Sequence, residues 1–225
     1  TLLRYPFVTK WKADGVTPEI ISYGFRIHSR HGYYWKYAIH EIPRPLGKHE
    51  ETFTDELKIH HFPDTTKERK FYRSMLVELV QTEPKEPRYF YYLARDFFDA
   101  REYQKALDEF DKYLNLSFSP QYDFSERAFV MRIIALSHKY LGHSKDVVIQ
   151  WLLKSVAESP HEREPWVLLA QELREIGNWP NCLAFSANAL QCKDASKSYM
   201  INPEAWGDLP ERLFRESAQR LGIER

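Results

Sequence analysis

Three alanines, Ala94, Ala135 and Ala170, constrain this chain most, because each stands at the same place in a pattern of large apolar residues. Around the first, Phe90, Leu93, Ala94 and Phe97 are followed by Ala106, Phe110 and Tyr113. Around the second, Met131, Ile134 and Ala135 precede Gly142, then Val147, Val148 and Trp151, with Pro160 closing the unit. Around the third, Trp166, Leu169, Ala170 and Leu173 precede Gly177, then Cys182, Ser186 and Ala189. Spacings of three and four residues put each set on one face of a helix. A small residue between large ones lets a second helix approach closely while its neighbours fill the groove.

The alanines are 41 and 35 residues apart. The order of large residue, leucine, small residue and aromatic, then alanine and aromatic, resembles the tetratricopeptide pattern, whose unit is about 34 residues. The longer first interval implies an insertion, placed at Ser117 to Ser125. The predicted fold is mainly α: a tetratricopeptide-like helical repeat domain over 87–225, with Trp206-Gly207-Asp208-Leu209-Pro210 leading to a capping helix that carries Leu213, Phe214, Ala218 and Leu221. Trp151, Trp166 and Phe110 fall at packing positions, and Lys105, Asp108, Glu109 and Lys112 are expected on solvated helix surface.

Lysine plus arginine and aspartate plus glutamate each number 32, so no global field draws the chain to nucleic acid or an anionic membrane, and partners must be recognised locally. No apolar run reaches the ~18 residues of a membrane span. Cys182 and Cys192 form neither a disulfide framework nor a cysteine-rich zinc site, which makes a reducing cytoplasm the expected setting. The chain opens on Thr1-Leu2-Leu3-Arg4-Tyr5-Pro6, which already reads as strand material without a signal-peptide layout; the expectation is that an upstream part of the protein precedes it.

The first 63 residues are punctuated by glycine and proline and read as short strands. Ile20–His28 and Tyr33–His40, separated by Ser29-Arg30-His31-Gly32, are predicted to pair as a hairpin, with a third strand at Glu56–His61 after a polar loop from Gly47 to Thr54. From Thr65 the period turns helical through Met75, Leu76, Leu79 and Val80. The chain thus divides into a strand-rich segment at 1–64, a linking helix at 65–86 and the repeats. Arg69, Lys70 and Arg73 make a small basic cluster at the start of that helix, read as helix surface rather than a phosphate contact.

Chemistry-bearing side chains concentrate in the strand segment, which holds six of the nine histidines: His28, His31, His40, His49, His60 and His61. Imidazole titrates near neutrality and is a common metal ligand. His40-Glu41 at a strand end suits acid–base work; strand capping by His40 beside a solvated Glu41 is the plainer alternative. Alternation sends His60 and His61 to opposite faces, so one of them can point into a site. Two imidazoles make a poor metal site unless carboxylates come from elsewhere. Trp35 suits either stacking on a flat apolar face of a ligand or packing beneath the strand.

The strand Tyr33-Tyr34-Trp35-Lys36-Tyr37-Ala38-Ile39-His40-Glu41 resembles the Trp…His-Glu segment late in family 2 glycosyltransferases, and Ile59-His60-His61-Phe62-Pro63-Asp64-Thr65-Thr66-Lys67-Glu68-Arg69 resembles their histidine strand and Asp-x-x-Lys-x-Arg helix entry. In a bacterial and phage branch, helical repeats follow. The resemblance implies that 1–64 is the end of a GT-A α/β domain. His40 and Glu41 would border the reacting sugar, Trp35 would contact it, and His60 or His61 would ligate a divalent metal, manganese or magnesium. Glu41 is then a candidate base of an inverting transfer from a nucleotide-sugar donor to a protein or glycan acceptor. The chain contains no Asp-x-Asp and no glycine-rich nucleotide turn, so the donor half would have to lie upstream. The alternative is a non-enzymatic scaffold that binds a peptide on the repeat surface.

Overall fold

The computed structural model describes residues 1–62, 70–117, 124–193 and 200–223. It comprises two compact units, one of Thr1–Tyr72 with Ser196–Ile201 and the other of Arg73–Ala195 with Asn202–Arg225.

In the first unit, β1 (Leu2–Trp11) and β2 (Pro18–His28) form an antiparallel hairpin, with Leu2 opposite His28 and Trp11 opposite Pro18. The turn is built on Asp14, whose carboxylate accepts from the Val16 and Thr17 amides at 2.9 and 2.8 Å and from the Thr17 hydroxyl at 2.5 Å. Gly15 supplies a left-handed φ of 68° there. These hydrogen bonds hold the Asp14 carboxyl at about 2, below its ordinary 3.8. Leu2, Tyr5 and Val8 are buried, and the Tyr5 ring lies across Gly24, where a Cβ would stand 2.4 Å from it.

The other long edge of β1 takes two short parallel strands, β5 (Glu51–Phe53) and β6 (Ile59–His60), while β3 (Tyr33–Lys36) pairs with β4 (Ile42–Pro45) as a separate two-stranded ribbon. The hairpin expected between residues 20–28 and 33–40 is therefore not formed. The opening strand takes β2 as its partner, and the strand at 33–40 stops at Lys36 because Tyr37 and His40 adopt left-handed φ values of 76° and 52°. The strand expected at 56–61 shrinks to Ile59–His60, and the loop expected at 47–54 contains β5 instead. Arg4 explains the second change: its Nε and Nη2 donate to both Glu51 carboxylate oxygens at 2.9 and 3.1 Å and draw that segment onto β1.

In the second unit, α1 (Lys70–Thr82) precedes three helix pairs, α2 (Pro87–Asp99) with α3 (Tyr103–Leu116), α4 (Phe124–Tyr140) with α5 (Lys145–Glu158), and α6 (Arg163–Glu175) with α7 (Trp179–Gln191). A short 3-10 turn at Pro203–Trp206 leads to α8 (Leu209–Arg220), the expected cap. Ala94, Ala135 and Ala170 are fully buried in three successive apolar clusters centred on Phe110, Leu152 and Val167. Most of the connection expected to carry the insertion, 118–123, lies outside the described residues.

The first helix of every pair ends alike. The amides of Arg101, Gly142 and Gly177 bond to carbonyls three residues back, and those of Glu102, His143 and Asn178 reach five residues back. That is the Schellman arrangement, which needs a left-handed residue at its centre. Gly142 and Gly177 supply it at φ of 75° and 72°; in the first pair Arg101 does so at 62°.

Charged side chains bind one pair to the next. Lys139 on α4 and Lys145 on α5 both grip Glu172 and Glu175 on α6, with Lys139 Nζ at 2.6 and 2.9 Å from the two carboxylates. Arg127 is buried and donates to the carbonyls of Leu114 and Ser117 at 3.1 and 2.9 Å, so its charge meets the C-terminal end of α3, where the helix dipole is negative. Arg73 pairs with Asp96 and Glu102, which places it among the carboxylates of the first pair.

Candidate functional site

The strand unit places Trp35 in one ring cluster and His60 and His61 in another. Trp35 on β3 is 51% exposed and meets the His28 ring edge-on at 5.7 Å; His28 in turn stacks on Tyr33 at 4.7 Å. Tyr33 meets His49 at 6.3 Å, and His49 lies 3.5 Å from Glu51, the carboxylate already bound by Arg4. Hydrogen bonding to Arg4 holds the Glu51 carboxyl below its ordinary range. The sequence reading counted His28 and His49 among the concentrated histidines without giving either a site role, and the structure makes them ring partners of Trp35 and Tyr33. Their positions on β2 and beside β5 follow from pairings to β1 that the sequence reading did not anticipate.

His40 and Glu41 are both exposed, in the connection between β3 and β4 beside the buried Ile39. His60 packs its edge on Trp11 at 5.0 Å, and His61 stacks on Phe7 at 5.8 Å. Trp11 also stacks on Phe62 and donates from its indole to the His61 carbonyl at 3.4 Å. Both imidazoles thus lean on rings of β1, and neither meets Trp35. Among the described residues, no three His, Cys, Asp or Glu side chains gather as a metal site, so the residues present do not by themselves fit a bound manganese or magnesium. Asp64, Thr65, Thr66, Lys67, Glu68 and Arg69, which carry the second half of the transferase resemblance, lie outside the described residues.

The repeat unit carries a second candidate surface, on its first helices. On α2, Arg88 lies over the Tyr92 ring at 4.9 Å and Arg95 over Tyr91 at 5.5 Å; each pair is four residues apart and so shares a helix face. Arg95 also reaches the Phe129 ring on α4 at 5.9 Å, and Arg132 covers that same ring at 5.2 Å. Arg132 is almost wholly buried. Loss of water depresses its pKa, against the opposing pull of Glu164 and Glu162, the latter 3.9 Å away. Burial raises the Glu162 carboxyl, with Arg132 pulling it back down. Glu164 accepts from the Asn202 amide and the Trp206 indole at 3.2 and 3.0 Å, which ties this row to the segment before the cap.

The result is a row of guanidinium groups and aromatic faces crossing α2 and α4 and ending on carboxylates at α6. Arg88, Tyr92, Arg95, Phe129 and Ile133 keep part of their surface open. Guanidinium over an aromatic ring is stabilised by the ring quadrupole by about 0.5–2 kcal/mol, and Arg95 also donates to the Tyr91 hydroxyl at 3.5 Å. The sequence reading assigned Trp151, Trp166 and Phe110 to packing and named none of Tyr91, Tyr92 and Phe129 and no arginine of α2 or α4. The signal was present in the four-residue spacing of Arg88 to Tyr92 and Tyr91 to Arg95.

No family model matches the chain, and no curated protein matches it. Solved structures do. YrrB, described as a TPR protein with an unusual peptide-binding site, superposes with a TM-score of 0.51 at 10% identity, over 69% of this chain and 71% of that one. Pseudomonas aeruginosa pilF gives 0.51 at 14% identity, over 68% and 66%. The APC/C hetero-tetramer Cut9-Hcn1 gives 0.50 at 13% identity, over 64% of this chain, which spans only 26% of that one. Likeness at such low identity speaks to fold alone, and the helical part of this chain has the tetratricopeptide-type repeat fold.

Proposed function

We propose that the chain is a protein–protein interaction scaffold that receives an extended peptide on the first-helix face of its repeats. The observation that carries this reading is the arginine–aromatic row across α2 and α4, partly open and held in place by cation–π contacts. Stacked helix pairs present long continuous faces suited to extended ligands, and preset side chains lower the entropy lost on binding. The peptide-binding site named for YrrB supports the same use of the fold. The positive charge of the partly exposed Arg88 and Arg95 favours a segment bearing an acidic residue, and Tyr92 and Phe129 favour an apolar neighbour within it. Among the described residues no helix is long and apolar enough to cross a membrane, and the proposal sets the scaffold in the cytoplasm, where Cys182 and Cys192 stay as thiols.

The test is selection from a library of short peptides, followed by binding isotherms. Tyr92→Ala and Arg95→Ala are each expected to weaken the selected peptide about tenfold, in the range of an interface anchor, with the helical circular dichroism unchanged. Equal affinity of both variants and the parent would remove this surface from the account.

One observation favours a second reading, the sugar transfer implied by the family 2 resemblance. Tyr37 and His40 both hold left-handed backbone in the connection that follows Trp35 and leads to Glu41, and non-glycine residues in that region cluster at functional sites. Under this reading the open Trp35 face stacks on a sugar, His40 and Glu41 border it, and a metal on His60 or His61 needs carboxylates from another part of the protein. The comparisons lend it no support. Assay of a nucleotide-sugar panel with and without manganese decides it: turnover that disappears in His40→Ala and Glu41→Gln would support transfer, and absence of donor binding would leave the scaffold.

A further inference from the structure

A groove of about 510 Å³ runs between α1, α2 and α3. Val77 and Val80 of α1 and Phe90, Leu93 and Phe97 of α2 form its walls, and the Glu109 carboxylate of α3 lies among them. Phe90, Leu93 and Phe97 point away from Arg88, Tyr92 and Arg95, so the groove and the arginine–aromatic row occupy opposite sides of α2. The Glu109 side chain is 14% exposed. Its Oε1 accepts from Lys112 Nζ at 2.7 Å, whereas Oε2 is buried and meets no donor among the described residues. A buried acceptor without a donor is destabilising, and a ligand that brings one is favoured there. The third helix pair differs at the same place. Glu109 stands eight residues after the left-handed Arg101 and Phe90 eleven before it; Phe185 and Trp166 hold those two places about Gly177. The rings of Trp166 and Phe185 meet at 5.6 Å and pack on the apolar clusters of that pair. In the first pair a carboxylate stands where the second ring would be, and the groove is left.

We propose that this groove receives a tryptophan side chain of a partner protein, its indole N–H donating to Glu109 Oε2 and its ring lying against the apolar walls. The lining selects that occupant. Its valine, leucine and phenylalanine walls suit a large ring with one polar atom. Lys112 already offsets the Glu109 charge and lies over the Phe90 ring at 5.8 Å, and Arg73 and Lys105 lie over the Phe97 ring at 5.0 and 5.5 Å. The places for cations at this carboxylate and these rings are therefore taken, and a neutral donor fits better. An indole offers one donor and no acceptor, which matches a carboxylate oxygen. The chain makes the same contact within itself: Glu164, 2% exposed, accepts from the Trp206 indole at 3.0 Å, with Arg163 over that ring at 4.0 Å.

The test is titration of the whole chain with N-acetyl-tryptophanamide, followed by NMR of the valine and leucine methyl groups. Shifts at Val77, Val80 and Leu93 are expected, and the analogue methylated on the indole nitrogen, which has no N–H, should bind about tenfold more weakly. Glu109→Leu should make the two probes equal. Glu109→Phe, which copies the third pair, should fill the groove and abolish the shifts with the helical circular dichroism unchanged. N-acetyl-lysinamide, the competing cation, should leave these methyl groups unmoved. Absence of shifts at Val77, Val80 and Leu93, equal binding of both indole probes by the parent, or tighter binding of the lysine probe would overturn the proposal.

Discussion

At the residue scale, Arg101 is the position where local preference and structure conflict most plainly. It occupies the left-handed centre of the turn after α2, where the second and third pairs have Gly142 and Gly177 and where Gly222 repeats the arrangement after α8. A side chain in that conformation costs about 1–2 kcal/mol relative to glycine. Arg101→Gly is accordingly expected to stabilise the repeat unit by about 1 kcal/mol, and Gly142→Ala or Gly177→Ala to destabilise it by a similar amount, read from urea midpoints. Asp14 gives a pH dependence. Its folded pKa, about 2, is below the ordinary 3.8, so its contribution to the hairpin is full above 3.8 and is lost as pH falls from there to about 2. A carboxyl titration by NMR should place Asp14 in that window, and Asp14→Asn should remove the acid-sensitive step. The two later glycines were readable as turn markers in the sequence. The first turn was not, since its arginine carries no backbone signal.

At the scale of elements, the helices were legible and the strand pairings only partly so. Each helix announces itself by its own period, and the alanines at 94, 135 and 170 named the sites of close approach, all of them now fully buried. Ala135→Leu should therefore overpack the second pair and cost about 1–3 kcal/mol. Strand pairing depends on a partner distant in sequence. The reading paired residues 20–28 with 33–40 by proximity and passed over Asp14-Gly15, the stronger hairpin signal, so β1 was left without its partner. The packing of Tyr5 on Gly24 gives that hairpin its test. Gly24→Ala puts a carbon 2.4 Å from the ring and is expected to cost about 1–3 kcal/mol, whereas Gly47→Ala, which meets nothing within 4 Å, should be nearly neutral. Of the candidate site, Trp35 was found by sequence with its face half open. His28 and His49 were counted among the histidines, but their place beside Tyr33 and Trp35 was not legible, because only the unforeseen register brings them there.

At the scale of the whole molecule, the repeats place functional and structural side chains on the same helices. Phe110 and Ala106 hold α3 against α2, and a few residues away Tyr92 and Arg95 remain partly open on α2. Each pair gains stability from its neighbours, so Phe110→Ala, with a cost of about 3–5 kcal/mol, should disorder the first pair and remove peptide binding together with it. Tyr92→Ala should remove binding alone. That contrast separates scaffold from surface. The most direct measurement is photo-crosslinking of a selected peptide to the intact chain, with the attachment sites mapped by mass spectrometry. Labels on α2 and α4 at Tyr92, Arg95, Phe129 or Ile133 are the expected result. Labels confined to the second helices, α3, α5 and α7, or to the strand unit would contradict the account.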